Sequence, residues 1–375
     1  VVAIGLARVD HIRASDFDAL HMLLSKKLGD PYRYVRALSA QAAFASIGGT
    51  ASRKRTDQFV RLAHEWAEKT HEPHAIALAR FADGIAGFYV GEFARTFECQ
   101  IAAERIFREE CVGVAWEINT AQQYTLSSLY YMGKFRQLAL RAPERLAEAL
   151  DHGDLYAAAD VAAGRPLVAW LFADDPGGAQ DRFRETIGKW TLQGFHFQHY
   201  VSLLAQVQVD LYTGDVEAAW GFIDRRWPEL KRSMLLRIQQ LRIEVRDLRG
   251  RAALAVAARD TVDAAARIKS ARHDAKKILD EKTTWGAPFA HLILGGASAV
   301  EGDLDAAASF TKEAMNEFEF AGIQGHAAAA RRPYGQLTGG DGGQQAVEGA
   351  DAWMASEGVV NPARVTAMLA PGFPG

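Results

Sequence analysis

DLYTGDVEAAW, Asp210 to Trp220, decides how this chain folds. Asp210 to Thr213 closes one helix, Gly214 supplies a left-handed corner without a Cβ penalty, and Asp215 caps the helix that follows. The same grammar returns in FYVGEFART around Gly91, LYYMGKFRQ around Gly133 and AVEGDLDAA around Gly302. Each copy sets apolar or aromatic residues before the glycine and an apolar residue two positions after it. Gly91 and Gly133 stand 42 residues apart, and further corners read at Gly177 and near Gly250 give a period of about forty residues, in the range of stacked helix pairs. Between corners the apolar spacing is helical, as in Phe59, Leu62, Ala63, Trp66 and Ala67, or Leu304, Ala307, Ala308, Thr311, Met315 and Phe318. Each hairpin has too little apolar surface to persist alone, so the pattern predicts stacking. The expected fold is therefore all-α: an α-α superhelix of about nine stacked hairpins over 1–340, with capping helices over 341–375. In the cap, Asn361 precedes Pro362 as N-cap before first helical residue.

Composition agrees with a folded, helical chain. Of 375 residues, 49% are hydrophobic and 24% charged, which excludes general disorder. A net charge of -3 gives no overall attraction for nucleic acid or an anionic membrane. No apolar run approaches the ~18 residues of a membrane span. Cys99 and Cys111 are the only cysteines, which excludes a disulfide framework and points to reduced thiols in a cytoplasmic protein. The opening VVAIGLARVDHIR, with Arg8 inside it and no initiating Met, reads as the continuation of a longer polypeptide.

The corners resemble tetratricopeptide repeats: an aromatic before Gly214, small Ala218 and Ala219 after it and Pro228 beyond, with a looser period than the ~34 residues of that class. Longer stretches resemble the C-terminal region of large bacterial serine/threonine kinases of eukaryotic type. They are DPYRYVRALSAQAAF from Asp30, GDLYAAADVAAGRPLVAWLFADDPGGA from Gly153, GFHFQHYVSLLAQVQVDLYTGDVEAAW from Gly194, RRWPELKRSMLLRIQQLRIE from Arg225 and NPARVTAMLAPGF from Asn361. In that family a kinase domain and a predicted NTPase module precede the repeats. The resemblance implies a regulatory tail; RRPYG, Arg331 to Gly335, departs from it by setting Pro333 where the family runs a helix, so the last hairpin is expected to be interrupted there. The phosphate loop, H-R-D, D-F-G and V-A-I-K motifs of phosphoryl transfer are absent from the sequence, so the chain itself is expected to be no enzyme.

Candidate chemistry is sparse. His64-Glu65 and His71-Glu72-Pro73-His74 lack the H-E-x-x-H spacing of a helical zinc site. His196 and His199 suit a metal or anion, or else frame aromatic packing by Phe195, Phe197 and Tyr200. GGDGG at Gly339 to Gly343 follows no strand and reads as a flexible turn. No metal and no cofactor is expected. Arg225, Arg226, Lys231, Arg232, Arg237, Arg242, Arg246, Arg249 and Arg251, against Glu229, Glu244 and Asp247, make an Arg-rich helix over 225–251. Its Arg242 and Arg246 are candidate contacts for an acidic or phosphorylated partner, unless neighbouring helices neutralise them.

Polar residues supply the candidate groove. His199, Ser202, Gln206, Asp210 and Thr213 form one row, and Ser233, Arg237, Gln240 and Glu244 form another on the helix expected beside it. Asn119, Gln123, Ser127 and Tyr130 extend the idea upstream, and Gly164 and Pro166 kink the helix from Leu155 to Phe172 near Trp170. Adjacent first helices line a concave wall. The expected function is thus a protein- or peptide-binding regulatory repeat region of a kinase-type signalling protein, with upstream kinase and NTPase domains as further partners and no membrane or nucleic acid. A small-molecule sensor with a closed pocket near Pro166 and Trp170 is the alternative.

Overall fold

The computed structural model describes residues 11–188, 195–259 and 263–373; Arg8 and Gly194, on which two of the sequence readings fall, lie outside them. The chain is all-α, with no strand among the described residues, in the helical-repeat class that the corners predict. The helices are α1 (His11–Leu28), α2 (Pro31–Ser46), α3 (Arg53–Thr70), α4 (Pro73–Tyr89), α5 (Phe93–Glu110), α6 (Ala115–Met132), α7 (Phe135–Asp151), α8 (Leu155–Ala162), α9 (Val168–Phe172) and α10 (Pro176–Ile187). They continue as α11 (Phe197–Thr213), α12 (Val216–Arg232), α13 (Gln239–Ala257), α14 (Ala264–Leu279), α15 (Ala287–Val300), α16 (Leu304–Phe320), α17 (Gln324–Thr338), α18 (Gly340–Ser356) and α19 (Pro362–Leu369). First helices of successive hairpins begin at residues 31, 73, 115, 155, 197, 239, 287 and 324, so the forty-residue period is real, with eight hairpins among the described residues.

The corners work as read at Gly214, which sits at φ 82°, with the Asp215 carboxylate accepting from the Ala218 amide at 3.2 Å. Two corners differ. Gly250 lies inside α13, where a Cβ would meet Ile293 Cδ1 at 2.7 Å; its small size serves helix packing, not a reversal. Gly177 belongs to the first turn of α10, and the left-handed residue there is Asp174, at φ 58°. Pro333 is accommodated too, since α17 runs through it to Thr338. GGDGG is no free turn: Gly339 ends α17 and residues 340–343 open α18.

The chain divides into two compact units, residues 1–128 with 237–240, and 129–236 with 241–375. The expected boundary near residue 340 falls inside the second unit, where α17 and α18 pack together. In the first unit, Val35, Leu38, Ala63, Ala67, Ala75 and Ala79 form one core, and Ala77, Phe81, Ile85, Ala103 and Phe107 another. Alanine dominates because it lets helices approach closely. Gln239 joins this unit through its Oε1, which accepts from the Thr50 amide at 2.9 Å.

The second unit closes a circuit. Its first corner, after Leu129 to Met132, packs on its last hairpin: a Cβ on Gly133 would lie 2.6 Å from the Gly325 amide nitrogen and 2.9 Å from Trp353. Phe135 packs between Phe172, tilted at 4.2 Å, and Trp353, edge-on at 6.0 Å. Helix α19 then docks on α11, α17 and α18, with Arg364 on Asp174 at 3.0 Å.

Closure rests on two facing glycines, and a Cβ on Gly325 would meet Phe135 Cζ at 2.2 Å. Because the Phe135 ring is fully buried, it has nowhere to retreat. Gly325→Val is expected to cost about 2–3 kcal/mol in a urea melt, whereas Gly177→Ala, exposed and with open space around it, is expected to change stability by under about 0.5 kcal/mol.

Candidate functional site

The polar centre of the second unit is built on a chain break. Gly164 turns extended and Pro166 brings no N–H, so the expected kink is a full interruption: α8 stops at Ala162, a 3-10 turn covers Arg165–Leu167, and α9 restarts at Val168. That turn delivers Arg165 to Glu244 of α13, with Nη2 2.6 Å from Oε2. Both side chains are about a tenth exposed, at 10% and 12%. The Tyr131 hydroxyl accepts from Arg165 Nε at 3.2 Å and donates to Glu244 Oε1 at 3.4 Å, and the Tyr200 hydroxyl donates to Glu244 Oε2. Burial pushes both phenols well above their ordinary range, and nearby Glu244 adds to the shift; they act as hydroxyls. Arg165 stays charged despite burial because Glu244 and the tyrosines hold it so.

A second buried pair adjoins the first. Arg251 Nε contacts Asp247 Oδ2 at 2.9 Å, and Arg251 Nη1 donates to the Met368 carbonyl at 2.8 Å, which ties α19 to the centre. Burial raises the Asp247 carboxyl to about 6 against the pull of Arg251. Tyr130 meets His326 at 3.4 Å, and burial drives that imidazole down to about 3, so it remains neutral. Between the pairs lies a cavity of about 20 Å³ lined by Tyr131, Arg165, Gln208, Glu244 and Trp285 among others, room for one or two water molecules.

The α11 row and Glu244 lie on different sides of α11. On α11, Tyr200, Leu204 and Gln208 face the centre with Glu244, while His199, Ser202, Gln206 and Asp210 occupy the opposite side of the same helix. His199, Ser202 and Gln206 keep partial exposure. Asp210 is buried, accepts from Gln206 Nε2 at 2.8 Å and is raised by that burial to about 6. His196 and His199 form a capping box at the start of α11, with the His196 amide donating to His199 Nδ1 at 3.0 Å. Trp170 is buried under Arg182, 5.1 Å from its ring centre. In the first unit, Asn119 and Gln123 are half-buried on α6, Arg237 is exposed, and Gln240 is buried.

The Arg-rich stretch is two helices, α12 ending at Arg232 and α13 starting at Gln239, and the arginines of α13 meet carboxylates inside the second unit. Arg242 forks onto Glu281 at 2.5 and 2.7 Å. Arg246 and Arg249 both contact the fully buried Asp274 at 2.8 Å, and Arg249 lies over the rings of Trp220 and Trp227 at 5.0 and 4.8 Å. Desolvation raises the Asp274 carboxyl, and the two guanidinium groups counter it. Arg242 and Arg246 are therefore bound to carboxylates of their own chain. Of the central cluster, sequence reasoning reaches Glu244 and counts Asp247 and Arg251 as charge, but passes over Arg165 and Tyr131. The one signal for Arg165 was its place inside Gly-Arg-Pro.

No family model matches the chain, and no curated protein matches it. No helix among the described residues is long and apolar enough to cross a membrane.

Removing one member of a buried pair strands the other. Glu244→Gln and Arg165→Met are each expected to cost about 3–5 kcal/mol, and the double variant less than their sum, in a denaturant double-mutant cycle. A second expectation concerns pH. Between pH 4 and 6 the folded chain keeps a proton on Asp210 that the unfolded chain has released, so this group lowers stability as pH rises and the loss is complete above 6. Asp210→Asn is expected to gain up to about 3 kcal/mol at pH 8 and nothing at pH 3.5, read from urea midpoints.

Proposed function

We propose that the chain is a non-catalytic interaction and regulatory repeat region, taking a protein or peptide segment, and that it serves as the tail of a kinase-type signalling protein in the cytoplasm. The observation that carries this reading is α11. Twelve of its seventeen residues are buried, and apart from its two end residues only His199, Ser202 and Gln206 reach solvent. A helix enclosed on its other sides, showing one row of polar side chains, suits the floor of a narrow preformed groove. Backbone amides and carbonyls of an extended segment are natural partners for imidazole, hydroxyl and carboxamide groups in such a row.

The paired charges of the interior support the same reading. The centre's carboxylates and guanidinium groups are engaged with one another, which suits a scaffold that holds a surface in shape. The sensor alternative gains nothing from the central cavity, whose volume is that of water. Arg242 and Arg246 drop out as contact residues in this account, because recruiting them for a phosphorylated partner requires breaking their pairs with Glu281 and Asp274.

The test is affinity capture with the native chain and with a His199→Ala/Ser202→Ala/Gln206→Ala variant of matched thermal stability. A protein retained by the first and lost by the second, then reproduced as a binary complex with purified components, is the expected result. Equal retention by both removes the α11 row from the interface.

A further inference from the structure

The α15–α16 hairpin brings together three side chains that no part of the proposed interaction surface uses. Glu313 and Glu317 stand four apart on one face of α16. His291 reaches them from α15, with Nδ1 2.7 Å from Glu317 Oε2. One ligand atom from each residue can be chosen so that all three lie within 4.8 Å of one another. The imidazole is held in place: it stacks on Phe310 with an interplanar angle of 21°, and its side chain is only 14% exposed.

From this geometry we propose that His291, Glu313 and Glu317 form a site for a divalent transition-metal cation of the Zn²⁺ class. A tetrahedral ion with bonds of about 2.1 Å sets its ligand atoms about 3.4 Å apart, inside the span these groups already occupy, so small side-chain rotations bring all three onto one ion. One imidazole nitrogen with two carboxylates selects a borderline cation over Mg²⁺ or Ca²⁺, which prefer all-oxygen shells. Two carboxylates also neutralise the ion's charge, and the fourth position is left for water or for a donor from a bound partner. The ligands come from two antiparallel helices, so the ion staples one hairpin of the second unit. Glu317 now bonds His291 directly; cation binding replaces that contact with two bonds to the metal.

The full chain, stripped with chelator, is titrated with Zn²⁺ by calorimetry and with Co²⁺ by visible absorption, alongside Glu313→Gln and His291→Ala. Glu313 is exposed, so its variant keeps the fold even where His291→Ala disturbs packing against Phe310. Expected are one equivalent of Zn²⁺, a Co²⁺ ligand-field band, a rise in melting temperature with Zn²⁺, and at least tenfold weaker binding in Glu313→Gln. Unchanged affinity in Glu313→Gln overturns the assignment, because the ion then sits at other histidines. Binding of Mg²⁺ as tight as that of Zn²⁺ overturns the cation class.

Discussion

A guanidinium group keeps its proton at any pH a folded protein meets, so an arginine carried into an apolar interior must be given an anion there. Arg165 is such a residue. Its position, forced inward by the Gly164 and Pro166 break, fixes where Glu244 must stand. Glu244 in turn sets the register of α13 against α11, through Tyr200, and against the end of α6, through Tyr131. Apolar contacts between helical hairpins tolerate sliding. This four-group cluster does not, because each hydroxyl and nitrogen has one place where its hydrogen bonds are met. Buried polar pairs of this kind contribute specificity more surely than stability.

The regular part of the fold was legible in the sequence because it is local. A glycine with aromatics before it and Asp after it reports a reversal and a cap within a few residues, and Asp215 and Asn361 behave as read. Gly250 and Pro333 misled for a common reason: a glycine chosen for Ile293 to pack on looks the same as one chosen for its φ, and a proline inside a packed helix looks like a terminator. The site was less legible because it is made by distant partners. Glu244 could be picked from its row, but helical spacing shows which residues share a face, not which neighbour that face meets. The carboxylates of Glu281 and Asp274, which take up Arg242 and Arg246, lie about thirty to forty residues downstream and carry no local mark. The triad of His291, Glu313 and Glu317 escaped for the same reason, since it spans a hairpin.

Charge counting also overstated the basic character of 225–251. Asp274, Asp224 and Glu281 return part of the negative charge, and the indoles of Trp220 and Trp227 cover the Arg249 guanidinium. What reads as a basic stripe is an arginine–tryptophan–carboxylate layer between α12, α13 and α14, in which arginine serves as a flat, stackable packing element.

The closure of the second unit bears on how it is made. Tyr130 and His326, which meet there, are 196 residues apart in sequence. Hairpins of the stack form from near neighbours and pay little loop-closure entropy, but this contact waits until almost the whole unit has left the ribosome. Until then the side of Phe135 that meets Trp353 and the face of α11 beneath α19 are open to solvent. The unit is therefore assembled progressively and sealed at the end, and its period of exposure during synthesis is set by chain elongation instead of by the speed of helix formation.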